Sequence, residues 1–157
     1  NANDVVPEYF NTGKYMPRPS VQTLSNAMDV GDPSNFVRIL ELFDKEFNQV
    51  KNKLSGYTID DEETLKTIKR VEKDYGYVLD PHGAVAFVAL EKYLAENGGK
   101  GFFLETAHPV KFPDSVEQAT GKSVEIPKSL EELMKQEKFT TEINPQYEEL
   151  KEFLLKK

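Results

Sequence analysis

The run Asp80-Pro81-His82-Gly83, followed at once by Ala84-Val85-Ala86-Phe87-Val88-Ala89-Leu90, constrains this chain more than any other stretch. An aspartate can cap free helix N–H groups, and proline at the first helical position loses no hydrogen bond and already has a helical φ. The helix that starts there, running to about Glu96, is apolar nearly all round its first half. It must therefore be buried on more than one side. Ahead of it, Tyr77-Val78-Leu79 is a short β-prone run, so this region reads as strand, turn, helix.

Other elements follow from periodicity. Phe36, Ile39, Leu40, Phe43, Phe47, Val50 and Leu54 recur at spacings of three and four, which predicts one helix from about Pro33, behind Asp32, to Leu54, with Gly56 ending it. A capping box, Asp60 with Glu63, opens a second helix that carries Leu65, Ile68, Val71 and Tyr75 inward before Gly76 stops it. Asn97-Gly98-Gly99 breaks the chain, and Gly101-Phe102-Phe103-Leu104-Glu105-Thr106 reads as an interior strand. From Asp114 the chain is polar and helical in patches, with a capping box at Ser129 and a last helix from Pro145, behind Asn144. The order of strands and helices predicts an α/β fold, its helices packed on a short and incomplete sheet.

Composition narrows the function. Twenty Lys and Arg stand against 27 Asp and Glu, a net charge of −7, with no basic stripe, which argues against nucleic acid as a partner. There is no cysteine, so disulfides and thiolate zinc sites are excluded, and two histidines are too few for a His-based metal site. The apolar run Ala84–Leu90 is far short of the ~20 residues of a membrane span, and no secretory signal pattern opens the chain. The expectation is a cytoplasmic chain with no membrane partner.

In α/β sheets, sites form beyond the carboxyl ends of strands. Two segments qualify. Tyr77–His82 places Asp80 and His82 at a helix start, and Leu104–Lys111 delivers a hydroxyl, an imidazole and an ammonium within six residues. By pattern alone Asp80 fits an N-cap, and His108, before a proline, fits a turn. A third candidate is Thr23–Asn35, dense in small hydroxyl and amide side chains and leading into a helix N-terminus of the kind that suits phosphate. It carries no glycine fingerprint of a nucleotide site.

These segments resemble the carboxyl-terminal third of threonine synthase of the bacterial and fungal type. The matching stretches are Asn-Asp-Val-Val-Pro (3–7), Thr-Leu-Ser-Asn-Ala-Met-Asp-Val (23–30), Pro-Ser-Asn-Phe (33–36), Asp-Pro-His-Gly-Ala-Val-Ala (80–86) and Thr-Ala-His-Pro-Val-Lys-Phe (106–112), in the family's order and spacing. The resemblance implies part of the large domain of a fold type II enzyme that uses pyridoxal 5'-phosphate to turn O-phospho-L-homoserine and water into L-threonine and phosphate. It places Thr106 at the neutral hydroxyl that meets the cofactor's pyridine nitrogen, and Asp80 beside the ring. Asn3, Asp4, Ser25, Asn26, Asp29 and Asn35 match motif positions on the substrate-phosphate side, and His108 and Lys111 share the motif of Thr106.

The family's enzymes are more than twice this length, and their Schiff-base lysine and glycine-rich phosphate loop precede the matching region. No lysine here has that context, so no residue of the chain is expected to be catalytic. The chain starts without Met. It is therefore expected to be a fragment, inactive alone, with residues 1–112 carrying the site motifs and 113–157 a mostly helical extension. The remainder of the same enzyme would be its partner, and an exposed apolar face is expected, with self-association as one way of covering it. Two alternatives stay open: another fold type II lyase or phospho-lyase, and a non-catalytic α/β module that binds a phosphorylated metabolite.

Overall fold

The expected central helix forms over Pro81–Asn97, and its two sides belong to different apolar clusters. A computed structural model describes residues 1–156 and falls into two units, Asn1–Glu125 and Ile126–Lys157. The first unit contains α1 (Val5–Thr12), α2 (Phe36–Leu42), α3 (Phe47–Lys51), α4 (Asp61–Tyr75), α5 (Pro81–Asn97) and α6 (Pro113–Thr120), with single 3-10 turns at Asn26–Met28 and Pro109–Lys111. The second contains α7 (Lys128–Met134) and α8 (Tyr147–Leu155). Among the described residues no helix is long and apolar enough to cross a membrane.

Ala84 of α5 packs with Ile68 and Val71 of α4, Leu79 and Ala119 of α6, and Phe87 meets Phe103 edge-on at 5.4 Å on the same side. Val85 and Val88 face the other way, onto Ile59 and Tyr57. The all-round apolar sequence is thus used on both faces. Asp60 caps α4 by accepting from the Glu63 N–H at 2.7 Å. The reciprocal half of the expected capping box is missing, because the Glu63 carboxylate reaches across to Lys92 of α5 at 2.9 Å. Arg70 likewise joins α4 to α5 through both oxygens of Glu91.

The aromatic stripe is correct in its contacts and wrong in its continuity. The predicted single helix over residues 33–54 is two: α2 starts only at Phe36, and the chain turns between α2 and α3 at Asp44 and Lys45, which have φ of 51° and 61°. Bending lets Phe36 and Phe47 close on Tyr9 of α1 at 5.2 and 5.4 Å, an edge-on aromatic cluster that a straight helix would splay. Gly56 does not end a helix. It packs against α1, where a Cβ would fall 2.6 Å from the Phe10 ring.

The expected sheet is absent: among the described residues every regular element is helical. Residues 101–106 keep the side-chain alternation of a strand, with Phe102 and Leu104 at 84% and 68% exposure and Phe103 and Glu105 turned inward. A strand is defined by its ladder, and neither this run nor Tyr77–Leu79 has a pairing neighbour among the described residues. Local β-propensity was read correctly as alternation but cannot supply a partner. The short helix α1 lies outside the predicted set, and α6 falls where the sequence reads as helical in patches. In the second unit, α7 begins at Lys128 without a side-chain cap, so Ser129 lies inside the helix, and α8 begins at Tyr147, with Asn144 bonded to Glu149.

Because Ile68 is fully buried between α4, α5 and α6, Ile68→Ala removes contacts on three sides. The expected loss is about 2–5 kcal/mol, read from the urea midpoint at constant m-value.

Candidate active site

The Asp80 carboxylate is 0% exposed at the N-terminus of α5 and organises the residues around it. Its Oδ1 accepts the His82 backbone N–H at 2.9 Å, and its Oδ2 accepts that of Gly83 at 3.4 Å, as an N-cap should. The His82 ring folds back so that Nδ1 lies 2.6 Å from Oδ1. The other ring nitrogen, Nε2, accepts the Ala27 backbone N–H at 3.1 Å. An amide N–H can only donate, so in the neutral ring the proton is on Nδ1 and points at Asp80. Phe112 packs against the imidazole at 4.7 Å between ring centres.

On the opposite side, Glu105 Oε1 accepts the Asp80 backbone N–H at 3.3 Å. The Glu105 carboxyl lies over Gly83, where a Cβ would come within 2.1 Å of Oε2, so any larger residue there would push the carboxyl off the turn. Burial, then the hydrogen bond with Asp80, push Glu105 up to about 8. Burial works the same way on Asp80, but hydrogen bonds from Glu105 and His82 outweigh it and hold Asp80 below its ordinary range. The pair therefore holds one proton at neutral pH, on Glu105. Tyr77 nearby is raised as well, by burial and then by the charges of Glu105 and Asp80.

The residues singled out from the sequence divide into groups. Thr106, next to Glu105, is exposed, and among the described residues nothing bonds its hydroxyl. His108 accepts the Val110 N–H at 3.1 Å and caps the following 3-10 turn, while Lys111 ends that turn exposed and without an ion pair among the described residues. Asn3, Ser25 and Asp29 do come together. Asp29 Oδ1 accepts from Asn1 Nδ2 and Asn3 Nδ2, each at 3.0 Å, and from Thr23 Oγ1 at 2.6 Å, and Asn1 Nδ2 also reaches Ser25 Oγ at 3.0 Å. Asp4 belongs to a different group, ion-paired with Arg18 and accepting from Thr58 Oγ1 at 3.1 Å. Asn26 and Asn35 are exposed, and neither makes a side-chain cap.

The loop over residues 23–30 is tied to two helix starts. The Leu24 N–H donates to Asp61 of α4 at 3.1 Å, and Ala27 donates to His82 of α5. His82 had been placed at the helix start from sequence without a role. Glu105 had been passed over, although its spacing from Phe103 put it on the inward face of the same run. Thr23 heads the candidate segment Thr23–Asn35, whereas Asn1 carries no sequence signal beyond its polarity. Among the described residues no group of His, Asp and Glu is arranged to hold a metal.

The family model for the threonine synthase C-terminal region matches residues 83–154. The whole chain aligns at 42% identity with the threonine synthase of Buchnera aphidicola subsp. Schizaphis graminum and covers 36% of it. The chain matches the carboxyl-terminal third of threonine synthases. The Escherichia coli threonine synthase is 44% identical over 84% of the chain and 30% of its own length. Its crystal structure superposes with a TM-score of 0.84 and 38% identity, over 99% of this chain and 36% of that one. A pyridoxal-phosphate-bound threonine synthase from Brucella melitensis gives 0.69 at 29% identity, covering 98% of this chain and 38% of its own. The chain thus spans about a third of the length of the relatives it matches.

Two measurements test this geometry. Nitrogen-15 shifts of the neutral His82 ring are expected to show Nδ1 protonated and Nε2 bare, and the reverse tautomer would break the link to Ala27. Glu105 is raised in the fold above the ordinary glutamate value of about 4.3. Across the window from there to about 8 the native state holds a proton that the unfolded chain has lost, so its contribution to stability falls as pH rises. Urea midpoints of Glu105→Gln should lose that downward slope between about pH 5 and 8.

Proposed function

We propose that this chain is the carboxyl-terminal portion of a fold type II threonine synthase, forming one wall of a site where O-phospho-L-homoserine and water become L-threonine and phosphate. The observation that supports it most is the unpartnered hydroxyl of Thr106, at the end of a segment anchored through Glu105 to the buried Asp80. A neutral hydroxyl that can donate or accept suits the ring nitrogen of pyridoxal phosphate, so the residues present fit the cofactor. That cofactor, when bound, supplies an electron sink for bonds broken at the substrate's carbons.

The chain's own part is to hold and orient. Thr106 would meet the ring nitrogen, and Asp80, its oxygens taken up by the α5 N-terminus and His82, would fix the turn beside the ring. Asn3, Ser25 and Asp29 spend their hydrogen bonds within one cluster that includes Asn1 and Thr23, and so shape the 23–30 loop. The amides of Asn26 and Asn35 and the ammonium of Lys111 are left free to meet an anionic substrate. Asp4 steadies that region through Arg18, and His108 sets the turn that carries Lys111.

The Schiff-base lysine and the cofactor-phosphate loop lie outside the family's matching third, so the 157 residues alone should form no threonine. Phosphate release is the assay. The full-length enzyme containing this chain should release phosphate from O-phospho-L-homoserine and not from phosphoserine or phosphothreonine, and the 157-residue chain should release none. Preference for another phospho-amino acid, or turnover by the chain alone, would overturn the reading. Thr106→Val in the full-length enzyme should lower kcat roughly tenfold, the worth of one hydrogen bond.

A further inference from the structure

Glu105 enters the reading above only as the anchor of the segment to Asp80, and its carboxyl is held on more than one side. Its Oε1 accepts the Asp80 backbone N–H, and its Oε2 is buried with no donor facing it among the described residues. The carboxyl lies against Gly83, where a Cβ would displace it. The titratable groups around it are Asp80 in the turn and Tyr77 upstream, with His82 of α5 bonded to Asp80. No Lys or Arg pairs with it among the described residues. His82 cannot serve it either: Nδ1–H is committed to Asp80 and Nε2 to Ala27.

A buried carboxyl oxygen with no protein donor near it, beside a carboxylate that can only accept, is satisfied by carrying the proton itself. We propose that Glu105 is a positioning residue for Thr106: as the neutral acid it donates to the Asp80 carboxylate while accepting the Asp80 N–H, and so locks the segment ending in Thr106 onto the start of α5. The proposal deepens the functional reading and rests on it for the role of Thr106. Ionised, the same carboxyl would face Asp80 as a like charge and leave a buried oxygen unpaired, so the lock would open. Ala27, His82, Asp80, Glu105 and Thr106 then form one continuous connection, with the 23–30 loop at one end and the free hydroxyl at the other.

The test is a pH titration by NMR of the 157-residue chain, which needs no turnover and is independent of the substrate. The Glu105 side-chain carbon should titrate near 8 rather than near the ordinary ~4.3. The Thr106 amide should move with the same midpoint, while the His82 ring carbons, followed separately, report any titration of that ring. In Glu105→Gln, which stays neutral and keeps an acceptor, the Thr106 amide should stop responding over that range and its shift should stay near the low-pH wild-type position. Titration of Glu105 below about 5.5, or a Thr106 amide that ignores Glu105 or titrates unchanged in Glu105→Gln, would overturn the proposal. The carboxyl titration on the wild-type chain decides the matter even where a variant does not fold. Failure of the phosphate-release assay with a normal titration would instead count against the substrate reading alone.

Discussion

The unit Asn1–Glu125 depends on one carboxylate that water does not reach. Asp80 is fully buried and ionised, which is tolerable only because donors surround it: two backbone N–H groups of α5, the Nδ1–H of His82 and the acid proton of Glu105. Each of those donors comes with a piece of structure attached. Satisfying the charge therefore fixes the start of α5, the rotamer and tautomer of His82, and the segment that ends in Thr106.

What hangs on that anchor is an apolar core divided by α5. One side of the helix closes against α4 and α6, the other against Ile59 and Tyr57, and the aromatic cluster around Tyr9 and Phe36 is a separate packing unit. The site groups lie at the N-terminal end of α5, where the helix dipole favours negative charge and free N–H groups are available. The same end of the helix that is buried hardest thus also carries the polar network. Exposed Phe102 and Leu104 beside Thr106 show an apolar edge that no other described residue covers.

Much of this was legible locally and little of it globally. The Asp80-Pro81 cap, the apolar run of α5, the Asp60 cap and the alternation of Phe102 to Glu105 each depend on residues within one or two turns, and all are present, whereas Asp32-Pro33 starts no helix. Pairing is not local. The sheet was inferred from propensity, and propensity cannot say whether a neighbouring strand exists. The break at Asp44 and Lys45 is decided by aromatic packing on Tyr9, some 35 residues away in sequence. Likewise the Ala27–His82 hydrogen bond spans 55 residues and has no sequence signature. Family motifs single out Thr106 but not Glu105, one residue earlier, because a carboxylate at the end of an apolar run reads as a boundary rather than as a buried acid.

The central claim is that this chain brings a neutral hydroxyl, rigidly held, to the ring nitrogen of a cofactor. A crystal structure of the full-length enzyme with pyridoxal phosphate bound measures that directly. The account predicts Thr106 Oγ1 within hydrogen-bonding distance of the pyridine nitrogen, about 2.6–3.2 Å, with Glu105 still bridging to Asp80. A ring nitrogen facing a carboxylate, or lying more than about 4 Å from the Thr106 hydroxyl with no hydrogen bond between them, would contradict it.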